Sequence, residues 1–362
     1  MEEFSMLHVN ERYVDETRDE KGNVVDYQYK YPENFNFAYD VVDAIAEAEP
    51  GRRAMIWCNP CGEEHVFTYG DLKRYSDKTA NMLRAKGIGK GDMVMVVLKR
   101  HYQFWFTILA LHKLGAVIIP ATFLLTKHDI VYRVNSASVK AVICTGQGDV
   151  AAHFDESAPE CPTLQTKLMV NGERDGWEDF MTEMEKAPES FARVPTLASD
   201  PMILYFSSGT TGNPKMALHP YTYALGHLAT AKYWHNVDPE GIHFTIADTG
   251  WGKAVWGKLY GQMFMESCVF VYDFEKFVAS DILDKVSQYG VTSLCCPPTM
   301  FRFFLQEDVK SWDLSTNTNP PSTKVLWTIR YIRLWMSLPL STMEGATFAD
   351  SVTNFPISTH PK

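Results

Sequence analysis

The chain has 362 residues, of which 46 % are hydrophobic, and it carries a formal net charge of −10 at pH 7. That length and composition suffice for two or three subdomains with sizeable cores. The acidic balance argues against a nucleic-acid-binding protein, because such proteins present a basic face.

The sequence predicts a cytoplasmic protein without a membrane span. No apolar run approaches the roughly 20 residues that cross a bilayer, and the first residues are too acidic and polar for a signal peptide. The seven cysteines cannot all pair with one another, which agrees with a reducing compartment.

Residues 1–34 are rich in charge and predict a surface segment, after which residues 35–151 predict a first α/β subdomain. Thr68 with Asp71, and Thr126 with Asp129, match the capping box that opens a helix. Uninterrupted apolar strands lie between the helices, as a parallel sheet buried on both faces requires. The predicted strands are 93–99, 116–121 and 140–145, and a helix is predicted at about Gln103–Leu114.

Two sets of potential metal ligands are not predicted to bind metal. Cys58 and Cys61 have the spacing of a metal knuckle, but no second pair accompanies them and apolar strands flank them, so a hairpin turn is predicted. Eight residues advance a helix by about 12 Å and rotate it off the original face, so residues at that interval do not share a ligand. Four histidines recur at this interval, and only the first is placed near the site: His219, His227, His235 and His243.

Residues 152–200 hold several prolines and an acidic helical patch at 177–186, and they predict a peripheral connecting segment. From residue 201 to residue 314 strands and helices alternate again, which predicts a second doubly wound α/β subdomain. The predicted elements of this half are strands at 202–206, 243–247, 267–273 and 291–296 and helices near 222–234, 256–264 and 279–289.

The stretch YFSSGTTGNPK, from Tyr205 to Lys215, has the composition of a phosphate-binding loop. Its glycines let backbone N–H groups converge on an anion, its hydroxyl side chains add donors, and Lys215 supplies a positive charge. It is not a Walker A loop, which places its lysine directly after the second glycine. The alternative is an ordinary Ser/Thr/Gly linker, which would rarely end in a proline and a lysine. The predicted nucleotide-binding residues, among which Thr210 and Lys215 are also assigned catalytic roles, are Ser207, Ser208, Gly209, Thr210, Thr211, Gly212, Asn213, Pro214 and Lys215.

This loop resembles the signature of the AMP-forming (adenylate-forming) superfamily, which contains GTTGxPK, and it matches at every fixed position. Residues 247–261, ADTGWGKAVWGKLYG, resemble the aromatic acyl-pocket motif of the acetate and medium-chain acyl-CoA synthetases. Residues 295–304, CCPPTMFRFF, resemble the segment that follows that motif. The resemblance spans from about Phe35 to Leu314 and points to acyl-CoA synthetases rather than to luciferases or peptide-synthetase adenylation modules.

The resemblance implies the large N-terminal domain of that family, built from two doubly wound α/β subdomains. It also implies ATP, Mg²⁺ and CoA, and an acyl-adenylate formed from a short-chain, medium-chain or aromatic carboxylic acid. By resemblance Trp251 and Gly252 line the acyl pocket, with Pro298 and Thr299 on the opposite wall. A core tryptophan and a helix-capping threonine are the alternatives for Trp251 and Thr299.

Agreement with the family motifs stops after Leu314. The family's magnesium-binding Thr-Glu pair, its ribose-binding aspartate, its hinge and the catalytic lysine of its small C-terminal domain have no matching positions. Residues 315–362 are rich in Ser and Thr and show no sustained helical or strand period, so an aberrant tail is predicted. The alternative is a divergent but genuine terminus with a strand at about 325–334.

The sequence therefore predicts an acyl-CoA synthetase by descent that is incomplete for catalysis, with a carboxylic acid, ATP and CoA as its small-molecule partners. Two alternatives stay open. One is a non-catalytic nucleotide- or acyl-binding remnant, and the other is an interaction protein that uses residues 315–362. A chain cut within a sheet would leave an exposed edge, which favours self-association.

Overall fold

The computed structural model describes residues 7–207 and 213–314, so the predicted tail at 315–362 and positions 208–212 of the predicted loop lie outside the described residues. Its strands, in chain order, are β1 (Val14–Arg18), β2 (Val24–Tyr29), β3 (Arg53–Cys58), β4 (Glu64–Thr68), β5 (Met93–Val97), β6 (Val117–Pro120), β7 (Ala141–Thr145), β8 (Thr166–Val170), β9 (Glu178–Asp179), β10 (Pro201–Ser207), β11 (Lys215–Pro220), β12 (Ile242–Thr245), β13 (Cys268–Tyr272) and β14 (Ser293–Cys295).

Helices alternate with these strands over most of the described chain. They are α1 (Ala44–Ala48), α2 (Tyr69–Ala85), α3 (Gln103–Leu114), α4 (Lys127–Ala137), α5 (Val150–Ser157), α6 (Phe180–Glu185), α7 (His227–Ala229), α8 (Gly252–Lys258), α9 (Tyr260–Phe264), α10 (Ala279–Gln288) and α11 (Pro298–Phe304). Short 3₁₀ segments occur at Val9–Tyr13, Ala158–Glu160, Tyr221–Ala224 and Val309–Ser311, and π-helical segments occur at Ala38–Asp43 and Thr230–Trp234.

Both predicted capping boxes are confirmed. At the start of α2, the Asp71 N–H donates to Thr68 Oγ1 at 3.1 Å, and the Thr68 N–H donates to Asp71 Oδ2 at 3.0 Å. Thr126 and Asp129 make the same reciprocal pair at the start of α4. Each box satisfies two backbone donors that a helix start otherwise leaves without partners.

Two predicted helices of the second half differ from the observed ones. The segment near 222–234 is a 3₁₀ turn, the short α7 and a π-helical turn rather than one helix. The segment 256–264 is divided between α8 and α9, because Leu259 has φ −142° and ψ −83°, outside the helical region.

The described strands form two main sheets and one hairpin. The seven-stranded sheet has the order β11-β10-β6-β5-β7-β8-β9, and the five-stranded sheet has the order β14-β12-β13-β3-β4. Neighbours are parallel except for the antiparallel pairs β10–β11 and β3–β4. The predicted α/β class with parallel sheets is confirmed, and β1 and β2 form a separate antiparallel hairpin.

The two sheets do not follow the order of the predicted subdomains. Strands β3 and β4, from the range 35–151, pair within the sheet that contains β12 to β14. Conversely β10 and β11, from the range 201–314, complete the sheet that contains β5 to β7. The boundaries at 34/35, 151/152, 200/201 and 314/315 stay predictions, but strand pairing crosses the second and the third of them.

Helix α3 is buried at every position between the two main sheets. Its apolar side chains belong to one core cluster with Val94 and Val96 of β5 and with Val269 and Val271 of β13. Burial of one side chain of this size stabilises the fold by about 1.5–3 kcal/mol. The helix therefore joins the sheets. The loops at the carboxyl ends of their parallel strands lie near one another, and α/β proteins bind ligands at such loops.

Candidate functional site

Strands β10 and β11 form the stems of the predicted phosphate loop. They pair in antiparallel register, and their last pair before the loop joins Ser207 to Lys215. The Ser207 hydroxyl donates to the Lys215 carbonyl at 3.3 Å, and the Lys215 side chain is exposed. Asn213 and Pro214 lie in the described part of the connection, whereas Ser208, Gly209, Thr210, Thr211 and Gly212 lie outside the described residues.

Helix α4 contacts both stems of this loop. The Tyr132 hydroxyl donates to the Pro214 carbonyl at 2.9 Å, just before β11 begins. The Arg133 guanidinium lies over the ring of Phe206, 4.9 Å from its centroid, where β10 ends. One helix thus contacts the described residues on both sides of the loop.

The predicted acyl-pocket residues lie beside the same strand. Trp251 immediately precedes α8 and its side chain is 63 % exposed. A Cβ added at Gly252 would lie 3.6 Å from the ring of Tyr205, which is two residues before Ser207 on β10. The structure therefore brings Gly252 next to a stem of the phosphate loop, although the two are far apart in sequence.

Pro298 and Thr299 are exposed at the start of α11, three residues beyond β14. The Ile246 N–H donates to the Cys295 carbonyl at 2.9 Å, so the segments that follow β12 and β14 leave the sheet side by side. Pro298 and Thr299 thus lie at the sheet edge from which the chain runs on to Trp251, and their role as a second pocket wall stays a prediction.

A row of aromatic and imidazole rings runs from this strand into the interior, and the sequence prediction missed it. Consecutive ring centroids are 4.4 to 6.4 Å apart. The row consists of Tyr205, His219, Tyr223, His227, Trp256, His235 and His243. A sequence signal existed in the four-residue spacing of Tyr223 and His227, although His219 lies on β11 and reaches the row through strand pairing rather than helical spacing.

Within residues 7–207 and 213–314 no group of three His, Cys, Asp or Glu side chains could hold a metal ion. The four spaced histidines lie along the row of rings instead of converging on one point. Cys58 is the last residue of β3 and Cys61 lies within the turn that leads to β4, which agrees with the predicted hairpin.

Burial controls the charge of these rings. It lowers the pKa of His227 and of His235 to about 4, and it lowers the pKa of His243 well below its usual value. It also raises the pKa of the Tyr205 hydroxyl. These histidines of the row are therefore uncharged at neutral pH.

The family model described as AMP-binding enzyme matches residues 42–338. This chain belongs to that family. The match continues past Leu314, where the recognisable motifs end, into the first part of the segment assigned to the tail. The predicted relation to AMP-forming acyl-CoA synthetases is confirmed.

Curated relatives agree with this membership. The chain is 36 % identical over 289 residues to the mitochondrial acyl-coenzyme A synthetase ACSM4 of Rattus norvegicus, and these residues are 78 % of this chain and 50 % of the relative. It is also 36 % identical over 293 residues to the mitochondrial acyl-coenzyme A synthetase ACSM5 of Homo sapiens, covering 79 % and 50 % of the two chains. The chain thus spans about half the length of the curated relatives it matches.

Solved structures share the fold. An anthranilate CoA ligase, AuaEII, crystallised with anthranoyl-AMP, has a TM-score of 0.71 at 20 % identity and covers 79 % of this chain and 54 % of its own. An acyl-CoA synthetase from Brucella canis has a TM-score of 0.68 at 21 % identity, covering 82 % and 55 %. Among the described residues of this family member, no helix is long and apolar enough to cross a membrane.

Proposed function

We propose that this chain is the ATP- and acid-binding part of an AMP-forming acyl-CoA synthetase, and that it is incomplete for catalysis on its own. The observation that supports the proposal is the approach of Gly252 to Tyr205, which sets the acyl-pocket motif beside a stem of the phosphate loop. A carboxylate and the triphosphate of ATP can then be held next to each other.

The chemistry brings two anions together. The acid's carboxylate attacks the α-phosphorus of ATP, pyrophosphate leaves, and an acyl-adenylate remains. Donors and cations fixed in advance lower that barrier. Lys215, exposed at the start of β11, would hold the β- and γ-phosphates with the loop hydroxyls, including that of Thr210.

The proposed function also requires Mg²⁺, a carboxylic acid and CoA. Mg²⁺ would arrive on the phosphates of ATP, because this ion keeps several waters and binds through substrate phosphates with one or two carboxylates. Trp251 and Gly252, with Pro298 and Thr299, would contact a short-chain, medium-chain or aromatic acid. CoA would accept the acyl group in a complete enzyme.

We place the protein in the cytoplasm, although its relatives are named mitochondrial, and a fluorescent fusion would test that location.

Little or no acyl-CoA is expected from the purified chain with ATP, CoA and acetate, butyrate, hexanoate or benzoate. The family's catalytic lysine and Thr-Glu pair have no recognisable positions in this sequence. Mass spectrometry of the products, alongside equilibrium dialysis of ATP, separates binding from turnover. Formation of acyl-CoA at a rate on the order of 1 per second or faster, typical of enzymes, would refute the proposed incompleteness. If the chain binds ATP but binds no acyl ligand, the result would favour a non-catalytic nucleotide-binding remnant.

We also propose that two copies associate through β11. Among the described residues this strand is one edge of the seven-stranded sheet, and its Met216 and Leu218 side chains are 49 % and 47 % exposed. An open apolar edge favours pairing with a second strand, and a charge on it opposes pairing. Light scattering should show a dimer that Leu218→Lys converts to a monomer, whereas Val25→Lys on the exposed β1–β2 hairpin should not. A monomer at every concentration would rule the dimer out.

A further inference from the structure

The turn between β12 and α8 is held by hydrogen bonds at successive residues. Asp248 Oδ1 accepts the Gly250 N–H at 2.7 Å, and the Asp248 carbonyl accepts the Trp251 N–H at 3.1 Å. The Thr249 N–H donates to the Lys99 carbonyl at 2.7 Å. Because the Trp251 side chain is mostly exposed, this turn, more than packing of the ring, determines where Trp251 lies.

The turn also rests directly on the seven-stranded sheet. A Cβ added at Gly250 would lie 2.5 Å from the carbonyl carbon and oxygen of Ala121, the residue after β6. Only glycine allows so close an approach of two backbone segments. The turn therefore contacts the ends of β5 and β6 in one sheet while it continues β12 of the other.

Buried charge surrounds the side chain that organises this turn. Asp248 is 8 % exposed, and its Oδ2 atom has no hydrogen-bond partner among the described residues. Burial raises the pKa of Asp248, whereas the Gly250 N–H and the cations Arg100, Lys258 and Lys99 act in the opposite direction. Three cations thus act on this carboxylate, of which Lys258 and Lys99 are buried and Arg100 is partly buried.

The two principal cations are themselves fixed. Lys258 is 1 % exposed and donates to the Ala247 carbonyl at 2.6 Å, one residue before Asp248. Burial lowers its pKa to about 7. Arg100 donates to the Phe274 carbonyl at 3.2 Å and lies over the Phe274 ring, and its buried Nε has no partner in the described part of the chain. Neither side chain can follow a displaced carboxylate without losing these contacts.

We propose that Asp248 is a positioning residue for the acyl group. Its carboxylate accepts the Gly250 N–H and thereby fixes the turn so that Trp251 and Gly252 present one pocket wall to the acid. This inference rests on the proposed function, because it takes Trp251 and Gly252 as pocket walls. A purely structural carboxylate would support the fold without affecting the discrimination between ligands with and without an acyl group.

Asp248→Asn tests the proposal, because the amide keeps the size of the side chain but presents N–H groups either to Gly250 or to the buried cations. The full chain is titrated with ATP, with sulfamoyladenosine and with its benzoyl and hexanoyl derivatives. We expect Asp248→Asn to weaken binding of the acylated compounds by about tenfold, the loss typical of one charge-assisted hydrogen bond. The affinities for ATP and for sulfamoyladenosine should change by less than about twofold, which is well below the loss of one such hydrogen bond.

Asp77→Asn is the matched control. Asp77 is also buried, at 1 % exposure, and it pairs with Lys113 at 2.7 Å and with Lys73 at 2.9 Å, in the helical core. This variant should lower the free energy of unfolding without changing the ratio of acylated to unacylated affinity. A second readout is the ¹⁹F spectrum of chain labelled with 5-fluorotryptophan, with the Trp251 signal assigned from Trp251→Phe. Asp248→Asn should shift or broaden that signal, and Asp77→Asn should not.

Two results would overturn the proposal in different ways. If the parent chain binds ATP and the acylated compounds but Asp248→Asn leaves their affinity ratio unchanged, the inference fails and the proposed function stands. If the parent chain binds none of these ligands, the proposed function fails and the inference fails with it.

Discussion

Lowering the pH from about 7 to about 5 is expected to unfold this protein, because two buried and two partly buried histidines must gain protons that the folded state resists. Burial lowers the pKa of His112 to about 3 and the pKa values of His227 and His235 to about 4. Burial also lowers the pKa of His243 well below the usual value of 6.5. In the unfolded chain all four accept protons near pH 6.5.

The sign follows from the proton balance. Below about pH 6.5 the unfolded chain binds more protons than the folded one, so the free energy of unfolding falls as the pH falls. The loss continues until each folded-state pKa is reached. Each histidine contributes about 1.4 kcal/mol per pH unit, and four contribute about 5–6 kcal/mol per unit.

Two buried carboxyl groups of the described chain, Asp43 and Asp248, oppose this trend, because burial raises the pKa of each. Burial raises the pKa of Asp43 to about 6, although Lys113 acts in the opposite direction. Between about pH 6 and its usual pKa, the folded state therefore binds the Asp43 proton more tightly than the unfolded chain, which offsets about one histidine. The net loss of at most about 4 kcal/mol per pH unit, accumulated over more than one unit, is comparable to the whole stability of a typical domain, about 5–15 kcal/mol.

Urea unfolding at several pH values measures this slope. The ring of His243 is held by Ser293 Oγ at 2.7 Å and by Thr245 Oγ1 at 2.8 Å. His243→Gln should lower stability at neutral pH and also reduce the slope by about 1.4 kcal/mol per pH unit. His128→Gln, at an exposed position of α4, is the control and should leave the slope unchanged. A parent whose stability is flat between about pH 7 and pH 5 would contradict the prediction.

Local signals in the sequence predicted much of the fold. The capping boxes at Thr68 and Thr126 predicted the starts of α2 and α4, because these motifs act within four residues. The apolar run of α3 predicted its bounds because Gly115, with φ 73°, ends the helix in the left-handed region. The phosphate loop was recognisable because its chemistry lies in consecutive residues.

Non-local pairing accounts for what the sequence did not predict. Strand β8 lies inside the segment taken as peripheral, yet it pairs with β7 over five residues. Strand β3 pairs with β13, and β10 pairs with β6, so each pairing joins residues that are far apart in the chain. The pattern of apolar residues in one sequence does not predict which distant strands pair. Asp248 was likewise missed, because its importance depends on Arg100, which the fold brings close from another sheet.

Calorimetric titration of the full chain with MgATP tests the proposed nucleotide site most directly. Lys215 is the one cation of the motif YFSSGTTGNPK, so Lys215→Ala should remove its charge-assisted bonds to the β- and γ-phosphates. We expect affinity for ATP and for pyrophosphate to fall by about 1–3 kcal/mol. Lys21→Ala, at an exposed lysine in the turn of the β1–β2 hairpin, is the matched control and should bind as the parent does.

We expect one ATP to bind per parent chain. Lys215→Ala should bind ATP clearly more weakly, and Lys21→Ala should bind it as the parent does. Equal affinity of the parent and Lys215→Ala would remove the β10–β11 stems from the nucleotide site. Absence of any ATP binding by the parent chain would contradict the proposed function itself.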